Sequence, residues 1–317
     1  MMLKTLAIIP CLNEEISIVE TMNEIKKTAP EIEIWVVDNK STDKTLELAK
    51  SAGARIIKCE QIGKGFALRK AFSLVDSSYS AIFMVDGDAT YSIDSLPEAL
   101  KLVSSEGIDM VIGKRVDAEK IEIDRLAKYR IGHKLGNKTL SFMFRVLFKI
   151  KISDVFSGWR VFSPGFIKSF MGGDSGFEIE AELNTHAYVL SAAVSEIPVQ
   201  YFGRRVGSKS KLKTYSDGFK IIRKQLQLFR NEKPLSAFTL LSSPWLFASG
   251  WLFNGVLNEY LATGLVPRFP SLIAATGMFI LAGLLWIAGV ILERVRLLRV
   301  YQTRTVYSQF SKLDGLE

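Results

Sequence analysis

Cysteine and histidine are scarce, with two of each in 317 residues. Cys11 and Cys59 form neither a CxxC pair nor metal-ligand spacing, which leaves two small buried thiols rather than a disulfide framework or a zinc site. A glycine-rich dinucleotide fingerprint is also missing. The first apolar run ends in Pro10-Cys11-Leu12-Asn13, and the nearest glycine pair, Gly63 and Gly65, stands after a third strand, so hydride transfer on a nicotinamide or flavin is disfavoured. The only short apolar run near the N-terminus, TLAIIP after Lys4, is too brief for a signal peptide and reads as a strand, which places this region in the cytoplasm. No internal repeat and no low-complexity linker interrupts the chain.

Charge is absent from two long stretches: 25 residues at 234–258 and 24 at 269–292. Each exceeds the length at which a membrane span becomes the default reading, so two C-terminal transmembrane helices are expected. Lys220, Arg223, Lys224, Arg230 and Lys233 precede the first, and Arg294, Arg296, Arg299 and Arg304 follow the second. Only Glu259 and Arg268 lie between, which puts both ends on the cytoplasmic side. Glycines 277, 283 and 289 offer small-residue packing within the spans or in a homo-oligomer.

The formal net charge of +8 is concentrated rather than spread. Residues 203–233 hold ten Lys or Arg against two acids, and residues 125–151 hold eight against none. Mixed with Phe142, Phe144, Leu147 and Phe148 and set beside apolar spans, these stretches point to anionic lipid headgroups rather than nucleic acid.

The N-terminal part alternates. TLAIIPCL reads as a strand, and the following segment places Ile16, Val19, Met22 and Ile25 on one helical face. IEIWVVD is a second strand, with Ser41 or Thr42 capping the next helix; RIIKCE is a third, GKGFALRKAFSLV a helix, and YSAIFMVD a fourth strand. The alternation predicts an α/β fold with a mostly parallel, Rossmann-like sheet covered by helices. In such a sheet ligands bind beyond the carboxyl ends of the strands. Three of those ends carry acids: Glu14 after strand one, Asp38 after strand two, Asp86 and Asp88 after strand four. Two carboxylates on one turn suit a hard divalent cation, Mg2+ or Mn2+, and such a cation takes up the charge that develops when a glycosyl phosphate bond breaks.

IIPCLNEE, VVDNKSTDKT, GKGFAL, MVDGDATY, DVFSGWRVF, FEIEAEL and GSKSKL occur in an order and spacing that resembles family-two glycosyltransferases of GT-A fold. The branch it most resembles comprises dolichyl-phosphate mannosyltransferases and bacterial polyprenyl-phosphate glycosyltransferases, over residues 3–229. The resemblance implies a nucleotide-sugar donor and a polyprenyl-phosphate acceptor. It further implies that Pro10, Leu12, Glu14, Asp38, Lys64, Asp86, Arg205 and Ser210 bind the nucleotide-sugar, that Asp86 and Asp88 hold the metal, and that Asp88, Asp154, Arg130 and Lys211 take part in catalysis. Arg204 is the alternative to Arg205. The branch's glutamine two residues past the DxD is Thr90 here, which leaves the third metal ligand open. Glu178 and Glu180 read equally as site residues or as helix N-terminal acids. The expected organisation is a cytoplasmic GT-A domain at 1–216, an interface helix at 217–233, two spans with a short outer loop at 234–292 and a cytoplasmic tail at 293–317. The alternatives are a transferase acting on a hydroxyl acceptor, which requires a carboxylate base such as Asp154 or Glu178, and a membrane scaffold with a degenerate transferase domain.

Overall fold

The computed structural model describes residues 4–117, 131–148, 152–173, 178–205, 207 and 214–313. They fall into two compact units, one of residues 1–225 with 303–317, the other of residues 226–302.

The first unit is built on seven strands: β1 (Lys4–Cys11), β2 (Glu33–Asp38), β3 (Arg55–Lys58), β4 (Tyr79–Met84), β5 (Met110–Asp117), β6 (Arg160–Phe162) and β7 (Val194–Tyr201). Their order in the sheet is β3-β2-β1-β4-β6-β5-β7. β1 pairs in parallel with both β2 and β4, and β5 with β7, while β6 runs antiparallel between β4 and β5. The segment DVFSGWRVF therefore ends in a short reversed strand. Leu6, Ala7, Ile8 and Ile9 are all fully buried, because helices cover both faces of the sheet and a continuous apolar run has no wet side.

The crossovers are α1 (Ile18–Thr28), α2 (Thr45–Ser51), α3 (Lys64–Leu74) and α4 (Leu96–Ser105). On α1 the buried face is Ile18, Thr21, Met22 and Ile25. The expected face is thus rotated: Ile16 is half exposed and precedes the helix. α2 starts at Thr45, past the expected caps, because Asp43 accepts the amide and hydroxyl of Thr45 while Ser41 and Thr42 are drawn to Asn13. β1 lies between β2 and β4, so consecutive connections leave it in opposite directions and their loops open a crevice at the carboxyl edge.

Four further helices complete this unit: α5 (Ile131–Phe148), α6 (Pro164–Ser169), α7 (Ile179–Leu190) and the first part of α8 (Thr214–Glu232). α5 buries Phe144 and Phe148 and exposes Phe142 and Val146; α8 buries Ile221 and exposes Phe219 and Ile222. Both are amphipathic, as their basic composition suggested, with apolar residues left outside.

The second unit contains α9 (Pro234–Thr263) and most of α10 (Phe269–Leu313). Ser249 Oγ donates to the carbonyl of Ala275, and Gly289 lies so close to Phe238 that a Cβ would stand 2.7 Å from that side chain. Gly277 and Gly283 face open space. Among the described residues one helix, α10, is long and apolar enough to cross a membrane, with a mean hydropathy of 2.2. The expectation of two such helices is met only in part. α9 has no charge over 234–258, but serines, asparagines and Pro244 interrupt its apolar run.

At 45 residues, α10 is about 68 Å long, roughly twice the hydrocarbon thickness of a bilayer. Its last turns belong to the first unit. Arg304 donates to the carbonyl of Val189 at 3.0 Å and to Ser191 Oγ at 2.8 Å. The Tyr307 hydroxyl donates to Asp109, which also accepts the amide of Ala193. The expected tail is in this way a helix seated against the base of β5 and β7.

Candidate active site

The crevice is framed by loops that hold one another. Asn13, at φ +53°, receives the amide of Thr42 at 2.7 Å and gives its own amide to Ser41 Oγ at 3.0 Å, so the ends of β1 and β2 are laced together. Asp38 is buried and accepts the Ser41 amide at 3.0 Å. Glu14 is buried, with its amide bound to Thr45 Oγ1, while Pro10 and Leu12 are half-buried beside it. Asn39 reaches the next loop, donating to the carbonyl of Gln61 and accepting the amide of Gly63, the residue before α3. The three sequence-predicted loops do converge.

The Asp86-Gly87-Asp88 turn follows β4. Asp86 Oδ1 lies 2.6 Å from Lys64 Nζ, and the same ammonium lies 2.6 Å from Glu180 Oε1. Burial opposes charge on Lys64, but the two carboxylates outweigh it and hold the lysine above its ordinary value. Asp88 is 3% exposed, and its Oδ2 lies 2.7 Å from Arg204 Nη2. Thr90 donates its hydroxyl and amide to Oδ1 of Asp88, at 2.6 and 3.3 Å. Burial and the neighbouring Asp86 raise the Asp88 carboxyl, with Arg204 and Thr90 acting against them. Ser17 Oγ donates to the Gly87 carbonyl at 2.9 Å and fixes the turn from α1.

A second layer lies behind the turn. Arg160 is fully buried; its guanidinium donates to the carbonyls of Ser157 and Val155 and to Asn184 Oδ1, at 3.0, 2.8 and 2.7 Å. Burial lowers its pKa to about 10, against the pull of Glu180 and Asp154. Arg115 grips Asp154 through Nε and Nη2, each at 2.7 Å, and lies over the Tyr201 ring. Ser153 and Asp154 give their amides to Glu196. Gly158 donates its amide to the Tyr91 hydroxyl.

Several expectations change here. Arg205 does not face the DxD turn: it is held bidentately by Glu20, at 2.8 and 2.6 Å, and Arg204 faces the turn instead. Neighbours on an extended chain point to opposite sides, so only one of the pair can reach. Both carboxylate oxygens of Asp154 are bound by Arg115. Arg160 of the SGWR turn is a buried tie. Thr90 is a hydrogen-bond donor to Asp88 rather than an evident ligand. Glu180, left open in the sequence, is drawn to Lys64, whereas Glu178 sits at the helix cap. Arg130, Ser210 and Lys211 lie outside the described residues. His186 is buried between Phe166 and Phe170 with Ser169 as partner.

Sequence reasoning singled out neither Arg115 nor a definite role for Glu180. Glu180 had one signal, its place among three alternating acids at a helix start, Glu178, Glu180 and Glu182, of which any that is buried must find a partner. Its Oε2 is buried and has no hydrogen-bond partner among the described residues.

Asp86 and Asp88 offer hard oxygen donors suited to a divalent cation. No cluster of three or more His, Cys, Asp or Glu forms a metal site among the described residues. Two carboxylates are what Mg2+ commonly takes from protein, its other ligands being water and substrate phosphate, so the residues fit such an ion.

Residues 6–169 match the sequence model of a family described as Glycosyl transferase family 2. The low-salt glycan biosynthesis hexosyltransferase Agl6 of Haloferax volcanii is 30% identical over 221 residues, 68% of this chain and 51% of that protein, so the chain spans about half of that relative. The dolichyl-phosphate hexose transferase of the same organism is 27% identical over 207 residues, 65% of this chain and 85% of that one. Glucosyl-3-phosphoglycerate synthase of Mycobacterium tuberculosis, crystallised with Mn2+, UDP-glucose and phosphoglyceric acid, superimposes with a TM-score of 0.57 at 18% identity. That match covers 72% of this chain and 80% of the other and shows a shared fold.

Proposed function

Because the chain belongs to glycosyl transferase family 2, we propose that it transfers a hexose from a UDP- or GDP-linked donor to a polyprenyl phosphate, dolichyl or undecaprenyl, with inversion. The observation that carries this reading is the Asp86–Lys64 and Asp88–Arg204 pairing at the carboxyl edge of the sheet, in a chain that also carries the apolar helix α10. Two carboxylates and two cations on one small surface match a nucleoside diphosphate with its counter-ion. The likeness to a dolichyl-phosphate hexose transferase supports the lipid acceptor.

A phosphate monoester has its second pKa near about 6, so the acceptor oxygen is already anionic at neutral pH. It attacks the anomeric carbon in line; the carbon–oxygen bond to the diphosphate breaks, and its electron pair leaves with the nucleoside diphosphate. No general base is required. Asp86 and Asp88 would hold Mg2+ or Mn2+, which when bound stabilises the departing diphosphate. Pro10, Leu12, Glu14 and Asp38 form the base and ribose side, Lys64 and Arg204 the phosphate side, and Arg130, Ser210 and Lys211 remain proposed phosphate contacts. α9 and α10 are read as two spans with cytoplasmic ends, and α5 and α8 as headgroup-layer helices that keep the site within reach of a lipid phosphate. Gly277 and Gly283 remain available for self-association.

A second reading, transfer to a hydroxyl, is favoured by one observation. With Asp154 taken by Arg115, the free Oε2 of Glu180 is the carboxylate oxygen available as a base, and burial raises that carboxyl.

Membranes carrying the protein, supplied in turn with labelled UDP- and GDP-sugars, Mn2+ or Mg2+, and undecaprenyl or dolichyl phosphate, test the proposal. A labelled, mild-acid-labile lipid is the expected product, and it should vanish in Asp88→Ala. No lipid-extractable label from any donor would overturn it.

A further inference from the structure

We propose that Arg204 is a stand-in cation, which neutralises Asp88 while the donor is absent and changes partners to the nucleoside diphosphate when donor and divalent cation enter. The inference rests on the donor reading above and assigns a specific exchange to this one residue.

Both oxygens of Asp88 are already engaged. Oδ1 accepts from Thr90, and Oδ2 is held by Arg204 at 2.7 Å. A buried carboxylate left unpaired is strongly unfavourable, so Asp88 stays ionised only with a cation beside it. Any ion that reaches Oδ2 therefore competes with the guanidinium.

The two protein cations differ in exposure and setting. Lys64 is 10% exposed, lies on α3 and is clamped by Asp86 and Glu180 together. Arg204 is 31% exposed and sits between the end of β7 and Gly207 (φ +94°), on a stretch without regular secondary structure. The next residue, Arg205, is pinned to Glu20 by two hydrogen bonds. The chain is thus anchored immediately beside Arg204, the more exposed of the two cations.

Charge sets the direction of the exchange. Asp86, Asp88 and Glu180 bring three negative charges and Lys64 and Arg204 two positive, a small negative excess. A divalent cation by itself overshoots this balance and must also break the Asp88–Arg204 pair. A diphosphate arriving with it restores the balance and offers the planar, released guanidinium two oxygens to bind as a fork. Metal and nucleotide should consequently assist each other's binding, a coupling that must be equal in both directions.

The test measures Mn2+ and nucleotide binding separately on the full chain in detergent, by the spin-resonance signal of free Mn2+ and by calorimetry with UDP and with GDP. Arg204→Gln is expected to bind Mn2+ alone about tenfold more tightly than wild type, because its competitor is gone, and to bind the nucleotide about tenfold more weakly in chelator. Arg204→Lys, which keeps the charge, is expected to return Mn2+ affinity to near the wild-type value. A purely structural arginine would not move the two affinities in opposite directions. Unchanged or weakened Mn2+ affinity in Arg204→Gln overturns the proposal. Should that variant not fold, wild type decides: a Mn2+ affinity indifferent to bound nucleotide overturns it equally. Wild type that binds neither Mn2+ nor either nucleotide, alone or together, instead overturns the donor reading on which it rests.

Discussion

Gly158 stands directly against the carboxylate of Asp86: a Cβ at that position would lie 2.2 Å from Oδ2 and 2.7 Å from Cγ. The aspartate has no easy retreat, since its other oxygen is held by Lys64. Gly158→Ala should therefore displace Asp86 and lower kcat/KM by about 100-fold, the scale on which an ångström of misplacement acts. Steady-state rates on solubilised enzyme check this, and unchanged kcat/KM would remove Asp86 from the site.

Glu180→Gln separates the two acceptor classes. For an anionic phosphate acceptor the substitution disturbs Lys64 and lowers kcat by about tenfold or less, while loss of a general base for a hydroxyl acceptor costs about 100- to 10,000-fold. Rates measured at saturating donor distinguish them.

Arg160 should be irreplaceable for stability rather than for chemistry. Removing its guanidinium takes the side-chain donor from the Ser157 carbonyl and from Asn184 Oδ1 in the core and leaves Val155 with Asn184 Nδ2 as its donor, so Arg160→Met should cost about 3–5 kcal/mol. Arg160→Lys should not rescue it, because one ammonium cannot reproduce the fork. Thermal melts and yield of folded protein report the effect; a lysine variant as stable as wild type would contradict it.

His186 carries a pH dependence of definite sign. Burial lowers its pKa to about 4 from the ordinary 6.5, so the folded chain keeps it neutral while the unfolded chain takes up a proton. Its contribution is fully present above about pH 6.5 and is lost as pH falls toward 4, by up to about 3 kcal/mol. His186→Gln should melt with a shallower decline across that window, and an identical slope in both proteins would show that another group is responsible.

How much of this was legible in the sequence depended on the range of the interaction. Strands β1 to β4 and the loops at their carboxyl ends could be read because a covered parallel strand is apolar throughout and its loop must carry the polar groups. Asp86, Asp88, Asp38 and Lys64 are found where their motifs put them. The partner of each was not legible. Arg204 and Arg205 are chemically identical neighbours, and only Glu20, 185 positions away from Arg205, decides which one is left for Asp88. Asp154 looked available because nothing nearby in sequence announces Arg115, which a different strand brings across. The reversed strand β6 escaped notice because three residues carry too little periodicity to declare a direction.

The Tyr307–Asp109 hydrogen bond joins positions 198 residues apart, and α9 and most of α10 lie between them in the chain. A ribosome has therefore delivered both apolar helices before the base of β5 can meet its last partner. The first unit becomes complete only after the apolar segments have been synthesised, so its final closure waits on the C-terminal end of α10.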